Sequence, residues 1–220
     1  MNKKRYTHKT VSPFGFVGVL VCAGFMTACT NSAYEEGDGS LSHTTAEMVD
    51  VTIDNGIVTG IQTDNGDALM VSQGQTFDAI KNDTVVRCML YYNKVGQQPI
   101  ELVTYKQVLV LTPASDKFVP KYDPVKLTSI WKANTGKYVN MQVGIMTGKS
   151  YGQKQGIALV QDSVSQQGKG RVYYSLAHSQ NDLPQYYTQD VYLSIPWAAQ
   201  DTVSVTITTY DGTAMHTFSR

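Results

Sequence analysis

The chain has 220 residues, with 18 basic and 18 acidic side chains and no net charge. Charged residues are only 16% of the total, while Gly (18) and Tyr (14) are plentiful. That balance excludes a disordered acidic tail, a basic nucleic-acid binder, a collagen and a polytopic membrane protein. Three cysteines do not make a disulfide-dense scaffold, and the length suits one large or two small domains.

The first segment reads as an address. Lys3, Lys4, Arg5 and Lys9 form a cationic start, and an apolar run of about 16 residues follows from Val11 to Met26. That run is short for a membrane span, which needs roughly 20 apolar residues. It ends in Met26-Thr27-Ala28-Cys29, the order of a bacterial lipobox. The expectation is a lipoprotein signal peptide over 1–28, lipid on Cys29, and an outer-membrane location in the cell envelope. Whether the periplasmic or the surface face carries it stays open at this point.

Removal of 1–28 takes away four basic residues and no acidic one, leaving 14 basic and 18 acidic, a net charge of −4. Cys22 leaves with the signal, so Cys88 is the one thiol left, and no intramolecular disulfide can form. Residues 29–45 read as a flexible tether with an acidic cluster at Glu35, Glu36 and Asp38.

From Glu47 onward, apolar and polar residues alternate with period 2, the mark of half-buried strands. Val49, Val51 and Ile53 precede Asn55-Gly56, a tight hairpin turn; the return strand 57–63 precedes a second such turn at Asn65-Gly66. Leu69 and Val71 carry a third strand, 76–81 fits a short helix, and longer strands follow over 84–95 and 100–112. In the first of these, Val86, Cys88, Leu90 and Tyr92 share a face, which makes Cys88 a small buried hydrophobe. This layout over 46–112 matches an OB-like five-stranded barrel.

Pro113, Pro120 and Pro124 punctuate a segment that cannot pair as a central strand, so 113–124 reads as a linker. Residues 125–220 then show about seven strands, centred on 127–131, 138–146, 156–160, 172–177, 187–195, 203–210 and 213–218. Their short, even spacing predicts an antiparallel β-sandwich of immunoglobulin-like size. The predicted fold class is therefore all-β.

Motifs for chemistry are scarce. Thr147-Gly148-Lys149-Ser150 has the end of a phosphate loop, but Gly144 is one residue too close and a strand follows instead of a helix. A hairpin loop is the reading, with no nucleotide. Of the histidines, His178 with Asp182 or Asp190 is a dyad by composition; turn-capping is the reading preferred, and a hydrolase using His178 is kept as a remote alternative. No metal-ligand spacing occurs, and no cofactor is implied. Aromatics are the stronger signal: paired tyrosines put one ring on each side of a strand, and Tyr91, Tyr138 and Tyr173 are the proposed binding surface, for a glycan or an envelope protein. The OB barrel's outer sheet around Tyr91 is the favoured face. The acidic balance argues against nucleic acid.

Several stretches in order resemble the NigD-like lipoproteins of Bacteroidetes. They are the lipobox, Tyr34-Glu35-Glu36-Gly37-Asp38-Gly39-Ser40-Leu41-Ser42, Thr63-Asp64-Asn65-Gly66-Asp67 and Met89-Leu90-Tyr91-Tyr92-Asn93-Lys94-Val95. Residues 131–141, 180–188 and 191–196 continue the likeness. The resemblance implies an N-terminal OB-like domain and a C-terminal β-sandwich, and brings no catalytic residues. Through the bacteriocin gene cluster that names the family, it implies a role in immunity or bacteriocin production. The resulting expectation is a non-enzymatic, lipid-anchored binding module of the envelope, with a bacteriocin-associated immunity or accessory role as the alternative.

Overall fold

The computed structural model describes residues 44–72, 74–76, 84–94, 99–115, 117–149, 152, 154–165, 170–197 and 200–220. The signal segment, Cys29, the tether up to residue 43 and the helix expected beyond Thr76 lie outside the described residues.

Turn chemistry starts the first sheet. β1 (Thr44–Asp54) and β2 (Ile57–Thr63) are joined by Asn55 and Gly56, whose φ angles of 51° and 78° suit a two-residue hairpin. The second connection is longer than expected. Thr63 N–H donates to Asp67 O, so residues 64–66 form it, and in Asn65-Gly66 only Gly66 has a positive φ. It leads to β3 (Ala68–Leu69); β4 (Thr84–Asn93) and β5 (Glu101–Gln107) complete the sheet, in the order β3-β2-β1-β4-β5. This is five strands in the expected arrangement, but the sheet does not close into a barrel. Its two margins meet in one parallel bridge, Val71 to Ile100, supported by Ile100 N–H donating to Met70 O at 2.8 Å. Inside the curve lie Val49, Val51, Ile53, Cys88, Leu90 and Ile100, as the alternation predicted. Burial pushes the Cys88 thiol up to about 11, with Arg87 pulling it down and Asp50 raising it further, so it stays a protonated packing group.

The long strand expected over 100–112 is split. At Val108 the chain leaves the first sheet, and β6 (Leu109–Val110) joins a different one. Seven further strands follow: β7 (Lys126–Lys132), β8 (Tyr138–Thr147), β9 (Gly156–Ser165), β10 (Arg171–Ser179), β11 (Tyr187–Pro196), β12 (Thr202–Thr209) and β13 (Gly212–Ser219). They form two four-stranded sheets, β6-β11-β8-β7 and β13-β12-β10-β9, packed as a sandwich. Met141, Val143, Leu193, Leu159, Val205 and Ile207 lie in the shared core. The sandwich is not wholly antiparallel. β10 and β12 run parallel because β11 crosses to the opposite sheet between them, and β6 is parallel to β11.

The outer face of the first sheet meets the outer face of β8 and β11. Arg87, in the middle of β4, is only 4% exposed there. Its Nη2 donates to both carboxylate oxygens of Asp64 at 2.7 and 2.6 Å and to Asn140 Oδ1 at 3.1 Å; its Nη1 donates to Asp50 at 3.2 Å and its Nε to Ser194 Oγ at 3.2 Å. Asn140 Nδ2 donates to Asp64 at 2.6 Å, Ser194 Oγ donates to Asn140 Oδ1 at 2.7 Å, and the Tyr138 ring lies 4.1 Å from the guanidinium. Beside this network, Met48, Met89 and Val108 pack against Trp131 and Tyr192. Asn140 and Ser194, which alternation alone would put in water, are fully buried for this reason. Removing one member of such a network strands charge away from water, so Arg87→Met should cost about 3–5 kcal/mol of stability, against about 0–1 for the exposed Lys137→Met. Urea denaturation of the two variants checks this; equal midpoints would refute it.

Candidate functional site

The segment between β6 and β7 is a strap across the β13-β12-β10-β9 sheet. It starts at the edge of β9, where Pro113 bridges Leu159 and Ala114 N–H donates to Leu159 O at 2.8 Å. It ends on the far side of β10, where Tyr122 bridges His178. There His178 N–H donates to Lys121 O at 2.9 Å and Asp123 N–H to His178 O at 3.0 Å. Proline lacks the donor that a ladder needs, so Pro113, Pro120 and Pro124 restrict the strap to these isolated bridges.

Between its ends the strap passes over small side chains. Ala158 pairs with Ala177 and Gly156 with Ser179, and these four form the floor of a pocket of about 290 Å³. Phe118, Val119 and Lys121 wall it from above, and Asn181 stands at the rim. Ala177 faces away from the sandwich core yet is buried, because the strap covers it. Lys121 Nζ donates to Asn181 Oδ1 at 3.4 Å, and Asn181 Nδ2 donates to Lys154 O at 2.8 Å. Asn181 and Asp182 both have positive φ (48° and 57°), a backbone state these two residue types tolerate, and Leu183 N–H closes the turn onto Gln180 O. An apolar floor with one cation and one amide at the rim suits an apolar group bearing a polar or anionic end. Outside the pocket the strap displays apolar surface: Phe118 and Tyr122 are exposed, and Val119 is 84% exposed.

His178 anchors this arrangement. It is 2% exposed, and its Nδ1 meets Asp123 O at 3.1 Å. The Asp123 carboxylate is engaged elsewhere, accepting from Gln180 N–H at 2.7 Å. Among the described residues neither Asp182 nor Asp190 is hydrogen-bonded to the imidazole, and Asp190 belongs to β11 in the other sheet of the sandwich. The ring rivets strap to strand.

The tyrosines singled out by sequence are dispersed. Tyr91 is half-buried against Met48, Met89 and Val108, and hydrogen-bonds Tyr192, whose phenol is pushed up to about 12, first by burial and then by that bond. Tyr138 stacks on Arg87, and burial, more than the nearby Asp50, raises its phenol. Tyr173 lies on β10 in the other sheet of the sandwich, with the Arg171 guanidinium 5.8 Å from its ring. Thr147 ends β8 and Gly148 begins a loop. A Cβ on Gly148 would fall 2.7 Å from Pro184 O, so this glycine serves close packing. Among the described residues no three His, Cys, Asp or Glu side chains gather as a metal site. The strap escaped sequence reasoning as a site, although its prolines and its Phe118-Val119 pair were visible.

Residues 107–213 match the family model of the NigD-like C-terminal β-sandwich domain. Those residues are a NigD-like C-terminal domain. The match begins where β5 ends and the chain crosses into the sandwich, so the NigD-like domain includes the strap. A NigD-like immunity protein from Bacteroides caccae is similar over 78% of this chain and 91% of its own, at 24% identity and a TM-score of 0.62. A protein of unknown function from Bacteroides vulgatus is similar over 80% of this chain and 90% of its own, at 18% identity and a TM-score of 0.60. A candidate lipoprotein from Bacteroides fragilis follows at 10% identity and a TM-score of 0.53, over 80% of this chain and 96% of its own. At such identities the shared property is the fold. None of the curated proteins matches the chain.

If His178 holds the strap of this NigD-like protein down, His178→Phe loses one buried hydrogen bond, worth about 1 kcal/mol, or roughly a fivefold rise in the opened strap. Tryptic cleavage after Lys117 and Lys121 should accelerate by about that factor, with the near-ultraviolet circular dichroism of the folded core retained. An unchanged cleavage rate would count against the rivet.

Proposed function

We propose that this NigD-like protein is a lipid-anchored, non-catalytic interaction module of the bacterial cell envelope, tethered through Cys29. The observation that carries the reading is the strap. Phe118, Val119 and Tyr122 are apolar, exposed and fixed in place by main-chain bonds at both ends of a segment that the sandwich core does not enclose. Exposed apolar side chains on a held backbone are characteristic of contact with another protein, because a solvent-facing linker has no use for them. The pocket beneath then accepts an apolar side chain of the partner, and Lys121 lies beside the point of entry.

Placing a photo-crosslinking residue at position 119 in intact cells tests anchor and surface together. The expected result is one discrete adduct in the membrane fraction, lost in Phe118→Ser, and lost from the membrane fraction in Cys29→Ala. A protein that stays membrane-bound as Cys29→Ala removes the anchor; absence of any adduct removes the surface.

A second reading is bacteriocin immunity, in which the partner is the toxin. What favours it is the likeness to the immunity protein of Bacteroides caccae. Deleting the gene should then sensitise the cell to the toxin of a producing strain, and Val119→Asp should fail to restore protection. Unaltered sensitivity after deletion would reject this reading and leave the first intact.

A further inference from the structure

A cavity of about 440 Å³ lies where the end of β7, the β7–β8 turn, Trp197 and Arg220 meet. It shares no residue with the pocket beneath the strap. Lys132, Lys137 and Arg220 line it, and among the described residues no Asp or Glu side chain does.

The cations are positioned mainly by neutral partners. Lys132 Nζ donates to Ser219 O at 2.9 Å and lies 5.8 Å from the centre of the Trp197 ring. The Arg220 guanidinium lies 5.7 Å from the same centre, and its Nη2 donates to Trp197 O at 3.4 Å. Lys137 Nζ donates to Gln62 Oε1 at 2.6 Å; Asp50, 4.0 Å from it, already accepts from Arg87. The indole is itself fixed. Its Nε1 donates to Gln200 O at 2.8 Å, and Trp197 N–H donates to Lys137 O at 2.7 Å, which ties it to the turn. A ring or a carbonyl orients a cation without removing its charge. A concave wall of one sign, backed by a buried apolar ring, concentrates ions of the other sign.

The geometry points to an anion site in this cavity, which takes a phosphate monoester carried on a larger molecule. Such an ester has a charge of roughly −1.5 to −2 at pH 7 and three acceptor oxygens, which match three cations. A carboxylate or a sulfate ester, with a single charge, matches fewer. Each ammonium has donors to spare, because Ser219 O and Gln62 Oε1 occupy one apiece. The cavity is larger than a phosphate group, so part of the organic body fits beside it. The ester arrives either as a soluble compound or as a lipid headgroup.

Isothermal titration of the full chain in detergent with phenyl phosphate should show saturable binding. Lys132→Gln and Lys137→Gln should each weaken it roughly tenfold, the worth of one charged hydrogen bond, while Lys132→Arg retains most of the affinity. Phenyl sulfate, of the same shape with one charge, should bind several-fold more weakly. Circular dichroism of each variant confirms that the fold persists. To separate the two sources, the Cys29→Ser chain, which carries no lipid at that residue, is mixed with phosphatidylcholine vesicles with and without phosphatidic acid. Retention that requires phosphatidic acid and is lost in Lys132→Gln identifies a lipid headgroup. Phenyl phosphate binding without such retention identifies a soluble ester. The site is overturned if phenyl phosphate does not bind, if both lysine-to-glutamine variants bind it unchanged, or if phenyl sulfate binds equally well.

Discussion

A guanidinium taken out of water is costly unless each donor finds an acceptor in the right place. Arg87 meets that condition only when four separate elements assemble: Asp50 from β1, Asp64 from the β2–β3 connection, Asn140 from β8 and Ser194 from β11. The network belongs to both the N-terminal sheet and the sandwich, and it satisfies its members in one docking geometry. Apolar contacts at Met48, Met89 and Trp131 add burial beside it but are less exacting about direction. Much else follows from this constraint. The β2–β3 connection takes its three-residue form where it presents Asp64, the faces bearing Tyr91 and Tyr138 are used for docking, and the described residues belong to a single compact unit.

With one face of the sandwich occupied in this way, the strap lies on the opposite sheet. It is bonded to β9 at Leu159 and to β10 at His178. The strap is held by main-chain bonds and by a histidine whose ring serves an anchoring role, so its exposed apolar residues sit on a fixed support. An interaction surface on rigid strands loses less entropy on binding than one on a free loop.

Much of the fold was legible. Val49, Val51 and Ile53 alternate with polar residues, as do Val203, Val205 and Ile207, and both runs became core-facing strands. Asn55-Gly56 marked a hairpin because few other dipeptides accept two positive φ angles. Cys88 was assigned to the core from its neighbours' period alone. The site was less legible. Arg87 between Val86 and Cys88 is the anomaly that marks a buried polar network, yet its acceptors are scattered from residue 50 to residue 194. The prolines of 113–124 showed that the segment would not pair as a central strand, without showing which sheet it would cross.

Local chemistry therefore determined what is local: the strands, the hairpins and the side of each strand that faces a core. Those depend on residue type and on a period of two, which any short window contains. Tertiary structure alone decided which polar faces are covered, why Asn140 and Ser194 are buried, where the tyrosines lie, and which sheet the strap crosses. Alternation says that a strand has two faces and two edges. What covers each of them is set by contacts between residues far apart in the chain.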